Sequence, residues 1–231
     1  HPMLAVGLEL QSRGHKVTIA TLLDYQENVV SLGLGFKKIR PDHISPKNPE
    51  IIALLMDLKK GSERVMKDFV MANIRPMYED VFAASEGMDF ILSGELVPAA
   101  SMAAEKRGIP WAMTVLAPTS MFSAYDMPVL PAAQFAAKLR WLGPKFNGFL
   151  LKMAEKMTRS WADPVHQYRK ELGLSPIGNP VLRGKFSPHL NFALFSSVIG
   201  KPQPDWPAKT VQCGFTFFGG GPGENALPTA L

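Results

Sequence analysis

Short segments rich in Val, Ile, Leu and Phe alternate along this chain with segments of helical periodicity. The strand-like segments cover residues 15–21, 35–41, 89–93, 109–118, 190–197 and 210–215. Several of them contain near-continuous runs of apolar residues, which is typical of parallel strands that are covered on both faces. The alternation therefore predicts an α/β protein with a Rossmann-like, doubly wound parallel sheet. With 231 residues and 46% hydrophobic content, the chain is long enough to bury a sizeable core.

Three loops that follow predicted strands are candidates for a ligand site, because doubly wound sheets bind ligands at the carboxyl ends of their strands. Their sequences are "TLLD", "SGEL" and "APTSMF". Hydroxyl groups beside apolar walls suit an amphipathic ligand, although the aromatic side chains of the third loop could equally fold into the core. The candidate binding residues in the last two loops are Glu95, Leu96, Pro118, Thr119, Ser120 and Phe122.

Two acidic residues in these loops allow more than one interpretation. Asp24 and Glu95 both follow predicted strands and could form a carboxylate pair of the kind that glycosidases use. Asp24 also precedes a predicted helix, and the favoured interpretation makes it the N-cap of that helix. Glu95 is predicted either to contact a ligand hydroxyl or to cap the helix that follows it.

Four segments in register resemble the N-terminal domain of GT-B glycosyltransferases. They are "HPMLAVGLELQSRGHKVTIAT", "ILSGELVPAASMAAEKRGIP", "YRKELGLSP" and "PDWPAKTVQCGF". The chain is most similar to family 28 and family 1 enzymes of the bacterial rhamnosyltransferase and sterol glucosyltransferase type. The resemblance implies that residues 1–215 form the acceptor-binding domain and that the Gly/Pro-rich residues 216–231 form a linker to a C-terminal donor-binding domain.

The same resemblance implies where the chemistry takes place. Such enzymes transfer a hexose from a nucleotide-diphosphate sugar to a hydrophobic hydroxyl acceptor such as a lipid, sterol or secondary metabolite, with inversion and without a metal or other cofactor. Their first strand and the turn that carries the general base would lie just upstream of His1, so the 231 residues alone are expected to be inactive. His1 directly precedes Pro2, whereas the histidine base of plant-type relatives stands three residues before this proline. His1 is therefore not expected to act as the base, and it either lines the acceptor cleft or is simply the residue that starts the first helix.

Basic and aromatic residues are concentrated in segment 138–161. This pattern suits a helix that lies on an anionic membrane, and the alternative is a helix packed on the sheet with a solvated basic face. The net charge of +5 has no accompanying nucleic-acid-binding motif, so no nucleic-acid partner is expected. The single cysteine, Cys213, cannot form an internal disulfide, and a cytoplasmic location is expected, with peripheral membrane contact through 138–161 as an option.

Two other functions compete with sugar transfer. A Rossmann oxidoreductase would share the order of strands, but no Gly-x-Gly-x-x-Gly sequence follows a predicted strand. A non-catalytic module that binds a sugar or a lipid would share both the fold and the apolar loops. The four histidines that follow His1 are far apart in sequence, and no metal site is predicted.

Overall fold

The computed structural model of the chain describes residues 2–41, 48–57, 60–129 and 138–219. The strands are β1 (Thr18–Thr21), β2 (Gly35–Lys38), β3 (Ile91–Ser93), β4 (Trp111–Val115), β5 (Leu190–Ala193) and β6 (Thr210–Gln212). The helices are α1 (Pro2–Ser12), α2 (Gln26–Ser31), α3 (Pro49–Leu55), α4 (Gly61–Arg64), α5 (Ile74–Ala84), α6 (Ala99–Arg107), α7 (Pro144–Met157) and α8 (Asp163–Glu171). A π-helical segment, Val65–Met71, continues α4. Each predicted strand segment contains one of these strands, so the strand predictions are confirmed.

All strand pairs are parallel. One sheet has the order β3-β4-β5-β6, and β1 and β2 form a separate two-stranded sheet. Strand β4 lies between β3 and β5, and all five of its residues are buried. Within the described residues β1 pairs only with β2, and the strand expected upstream of His1 stays a prediction.

Helices cover both faces of the larger sheet, as the fold prediction requires. Side chains alternate between the two faces of β4. Trp111 and Met113 pack against Ala104 of α6 on one face. The next residue along, Thr114, lies on the other face, where its Oγ1 is 3.6 Å from the Sδ atom of Met3 in α1. The Rossmann-like, doubly wound arrangement is therefore confirmed.

Two helices end at glycines, as the sequence favours, but no helix is capped by Asp24. Gly14 and Gly108 end α1 and α6 with positive φ angles of 89° and 69°, a conformation that costs glycine little. Asp24 was predicted to cap a helix, and this prediction is wrong. It lies inside a 3₁₀ turn, Leu23–Tyr25, and no side chain caps either that turn or α2. The 3₁₀ turn occupies the position where a cap residue would stand.

A charge-assisted contact joins the segment after β2 to α5. The backbone N–H and the guanidinium of Arg40 both donate to the carboxylate of Asp80, each at 2.8 Å. The side-chain hydrogen bonds from Arg40 hold the pKa of Asp80 below its ordinary value of 3.8. This contact anchors the smaller sheet to a helix that packs on the larger one.

We expect the Asp80→Asn variant to lose stability at neutral pH but not in acid. Because the folded-state pKa of Asp80 is depressed, its contribution is present above the unfolded-state pKa, at about pH 4, and is lost as the pH falls further through the folded-state pKa. Urea unfolding at several pH values measures this difference. The control is Asp89→Asn, at an exposed position. If the difference between Asp80→Asn and the parent chain does not shrink as the pH falls below about 4, the assignment is wrong.

Candidate functional site

The loops that follow β4 and β5 meet at the carboxyl edge of the larger sheet. Pro118 begins a 3₁₀ turn, Pro118–Met121, and Gly200 lies against its ring. A Cβ atom at Gly200 would stand 2.5 Å from Cγ of Pro118, so only glycine permits this approach. The close contact fixes the position of the turn that contains Thr119 and Ser120.

Asp205 holds the next part of the same loop. Its carboxylate accepts a hydrogen bond from the Ser123 hydroxyl at 2.5 Å and another from the backbone N–H of Ala124 at 2.8 Å. Ser123 Oγ in turn accepts from the backbone N–H of Tyr125 at 3.1 Å. Phe122, immediately before this network, has a φ angle of 50°, which is uncommon outside glycine and needs such support. Asp205 therefore fixes the backbone that presents Phe122.

An ion pair lies beside Phe122. Lys185 Nζ donates to Glu95 Oε2 at 2.5 Å, and the two side chains are only 8% and 19% exposed. The same ammonium lies 5.2 Å from the ring centre of Phe122 and 5.5 Å from that of Phe186, within the range of cation–π attraction. Lys185 therefore links the loop after β3 to the loop after β4.

A small cleft borders this ion pair. Its lining includes Glu95 and Lys185, with Trp111 and Met113 of β4 and Ile177 forming apolar walls. The space suffices for roughly one water molecule. The cleft is therefore too small to hold a sugar or a larger molecule.

That surface carries an apolar rim, a name used here for four exposed residues that follow successive strands. They are Leu96 after β3, Leu116 after β4, and Val198 and Ile199 after β5. A solvent-facing group of this kind is typical of a binding surface. Together with Glu95 it supplies apolar area and one hydrogen-bonding carboxylate.

The predicted binding residues occupy different parts of this edge. Glu95 and Phe122 are brought together by Lys185, while Leu96 belongs to the exposed rim. Glu95 does not cap α6, whose N-cap position is taken by Pro98 without a side-chain hydrogen bond. His1 lies outside the described residues. Binding of an acceptor by these residues stays a prediction.

Helix α7, inside the basic segment 138–161, packs on the loop that contains Phe122. Leu151 of α7 is buried against Ala124 and Met127. The side-chain amide of Asn147 donates to the backbone oxygen of Ala124 at 3.0 Å. The helix therefore supports the candidate site through this loop.

Lys185 and Asp205 are the residues that the sequence analysis missed as parts of the site. Lys185 lies between α8 and β5 in a segment without strand or helix periodicity, and Asp205 lies in a Pro-rich turn after β5. Each acts on a residue more than 80 positions away in the chain. The only local signal was a charged residue flanked by aromatic or proline residues.

Two kinds of functional feature are absent from the described residues. Nowhere in this part of the chain do three or more His, Cys, Asp or Glu side chains gather in a way that could hold a metal ion. Equally, none of the helices described is both long and apolar enough to cross a bilayer.

Curated relatives with significant similarity are glycosyltransferases. The O-mycaminosyltylonolide 6-deoxyallosyltransferase of Streptomyces fradiae is 25% identical over 94% of this chain and 51% of its own length. The sterol 3-beta-glucosyltransferase of Debaryomyces hansenii is 25% identical over 99% of this chain and 14% of its own length. The chain therefore spans about half of the first relative and a small part of the second. No family model matches the chain.

Solved structures agree on the fold. The Streptomyces sp. SF2575 glycosyltransferase SsfS6, complexed with thymidine diphosphate, matches with a TM-score of 0.55 and 16% identity over 99% of this chain and 52% of that protein. The spinosyn forosaminyltransferase SpnP matches with a TM-score of 0.55 and 14% identity over 99% and 50%. The chain therefore has the fold of one domain of a GT-B glycosyltransferase, and its sequence is similar to those of glycosyltransferases.

We expect the Lys185→Met variant to be less stable by about 2–3 kcal/mol, because the mostly buried Glu95 carboxylate loses its partner. The double variant Glu95→Gln/Lys185→Met should recover most of the loss, since neither charge remains unpaired. Urea unfolding of both single variants and the double variant measures the coupling.

The exposed pair Glu63–Lys67 provides the control for this cycle. Lys67→Met should change the free energy of unfolding by at most about 0.5 kcal/mol. An equally small effect of Lys185→Met would show that the buried pair contributes no more than a surface pair, contrary to our assignment.

Proposed function

We propose that this domain binds the acceptor in a glycosyltransferase that moves a hexose or deoxyhexose from a nucleotide-diphosphate sugar to a hydrophobic acceptor with a hydroxyl group. The observation that carries the proposal is the carboxyl edge of the larger sheet, where the Glu95 carboxylate stands near an exposed apolar rim. Support also comes from the names of two relatives, one a macrolide-type deoxyallosyltransferase and the other a sterol glucosyltransferase.

The site's composition matches the chemistry of such an acceptor. Leu96, Leu116 and Ile199 offer apolar side chains to a macrolide or sterol skeleton, each worth about 1–2 kcal/mol when fully covered. The Glu95 carboxylate, about one-fifth exposed, can accept a hydrogen bond from a hydroxyl that arrives from solvent. An acceptor held in this way is oriented by one polar contact on an apolar surface, which is the usual composition of a small-molecule site.

We propose that binding of the nucleotide sugar and removal of the hydroxyl proton depend on residues other than those described. In the reaction, the acceptor oxygen bonds to the anomeric carbon, the nucleoside diphosphate leaves, and a base takes the hydroxyl proton. We place neither that base nor the donor site among the described residues, and the predicted base upstream of His1 remains part of the proposal. SsfS6, which was solved with thymidine diphosphate, is matched by this chain over 52% of its length. The remaining half of SsfS6 is long enough to form a second domain, and we propose that such a domain binds the nucleotide.

We further propose an inverting displacement without a metal. A single attack by the acceptor oxygen on the anomeric carbon needs one base and a set of donors that stabilise the departing diphosphate. Helix N-termini and backbone amides of a donor-binding domain can supply that stabilisation. Determination of the anomeric configuration of the product by NMR, with and without EDTA, tests both points on the full-length enzyme.

We expect the chain to bind O-mycaminosyltylonolide or ergosterol, the two probes that the relatives' names suggest, and the Leu96→Ser variant to bind more weakly by roughly 5- to 20-fold. The loss follows from removing one apolar contact of the rim. Isothermal titration calorimetry on the 231-residue chain measures the affinity. Val30→Ser changes a similarly exposed apolar residue on α2 and should leave binding unchanged.

Sugar transfer is tested on the chain joined to the remainder of its parent protein. With thymidine-diphosphate glucose or uridine-diphosphate glucose as donor, Leu96→Ser should raise the KM for the acceptor and leave the KM for the donor unchanged. A donor KM that changes as much as the acceptor KM would contradict an acceptor role for this edge. Binding of both probes without any transfer would favour the non-catalytic module.

A further inference from the structure

The positive charge of the chain comes from one segment. Residues 138–161 contain six of the 25 basic residues and one of the 20 acidic residues, which leaves 19 of each in the remainder. The whole formal net charge of +5 is therefore located in these 24 residues, and the rest of the chain is neutral. A uniform adjustment for solubility would not concentrate the charge in this way.

The outward side of α7 is apolar. Phe149, Met153 and Met157 recur at intervals of four residues and so form one row along the helix. Phe149 and Met157 are 56% and 75% exposed, whereas Leu151 and Asn147 on the opposite side are buried. Trp141 and Leu142, in the 3₁₀ turn just before the helix, are also exposed. We call these five exposed residues the apolar row.

A row of lysines runs beside the apolar row. Lys152 and Lys156 stand three residues after Phe149 and Met153, which is the spacing of neighbours on a helix surface. Lys145 is one further member of this row, since it precedes Lys152 by seven residues. All three are exposed, and within the part of the chain that the structure describes they form no ion pair. By contrast, Arg140 in the same segment is paired with Asp126 at 2.7 Å.

We propose that this outward side of α7 and the turn before it bind the surface of a membrane with anionic lipids. The apolar row would enter the boundary between headgroups and acyl chains, and the lysine row would contact lipid phosphates. The helix lies on such a surface and does not cross it, since it has only 14 residues.

The lysine row of α7 favours a lipid surface over a soluble protein as the binding partner. Protein interfaces are depleted in lysine at their cores, whereas a surface of lipid phosphates pairs with a whole row of lysines at once. The buried side of the same helix packs on the loop of Phe122, so binding would hold the candidate site next to the bilayer. The proposal nevertheless does not depend on sugar transfer, and it can fail or succeed independently of the proposed function.

Co-sedimentation with vesicles tests the proposal on the 231-residue chain. We expect at least about tenfold tighter binding to vesicles with roughly one-third phosphatidylglycerol than to pure phosphatidylcholine, and a marked loss of binding in about 1 M salt. Equal binding to both vesicles, or no binding to either, would overturn the proposal.

Reversing the charge of the three row lysines tests whether binding depends on this surface or only on the net charge of the chain. The triple variant Lys145→Glu/Lys152→Glu/Lys156→Glu should bind anionic vesicles at least about tenfold more weakly than the parent chain. Thermal melting followed by circular dichroism should be nearly unchanged, because the three side chains are exposed.

A matched control changes the net charge by the same amount elsewhere. It replaces three exposed lysines by glutamate, at Lys16, Lys37 and Lys170. This control should retain most of the binding. If both triple variants lose binding equally, net charge alone is responsible and the proposed surface is wrong.

The apolar row is tested with a second pair of variants. Phe149→Ala/Met157→Ala should weaken binding several-fold, whereas Phe90→Ala/Met56→Ala should not, although Phe90 and Met56 are comparably exposed at 45% and 73%. Sedimentation velocity provides the last outcome. A dimer that dissociates in the Phe149→Ala/Met157→Ala variant, without any vesicle binding by the parent chain, would assign the row to a second copy and overturn the proposal.

Discussion

The position of every functional loop follows from the burial of β4 on both of its faces. A strand without an exposed residue needs a hydrogen-bonded neighbour on each side and a packed layer above and below. In this domain those requirements are met by β3 and β5, by α6 on one face and by α1 on the other. Because the strands are parallel, their carboxyl ends and the loops that follow them share one edge.

The loops at that edge depend on polar contacts from distant parts of the chain. A left-handed residue such as Phe122 is stable only where the surroundings fix it, and Asp205 supplies the hydrogen bonds on the residues that follow. Lys185 in turn connects Glu95 with the aromatic rings beside it. The sheet therefore determines where the site lies, and these two charged residues determine its shape.

The contrast between a locally specified sheet and long-range polar contacts explains how much could be predicted from the sequence. Apolar strands and glycine helix ends are local signals, so the positions of the six strands and the ends at Gly14 and Gly108 were predictable. Lys185 and Glu95 are 90 residues apart, and Ser123 and Asp205 are 82 residues apart. Because local periodicity and motif spacing carry no information over such separations, neither contact could be predicted from the sequence. The prediction for Asp24 was wrong although its local sequence signal was strong. A 3₁₀ turn formed where the sequence favours a helix cap.

Helix α7 shows how one element can meet two different requirements. Its buried side is specified by packing, since Leu151 and Asn147 contact the loop of Phe122. Its outward side has no such requirement, and a helix under selection for solubility alone would carry mixed charges there. The outward side instead carries apolar residues and lysines, and the remainder of the chain is neutral. An exposed apolar surface beside a row of lysines, unpaired within the described residues, supports the proposal that this side of α7 binds an anionic membrane surface.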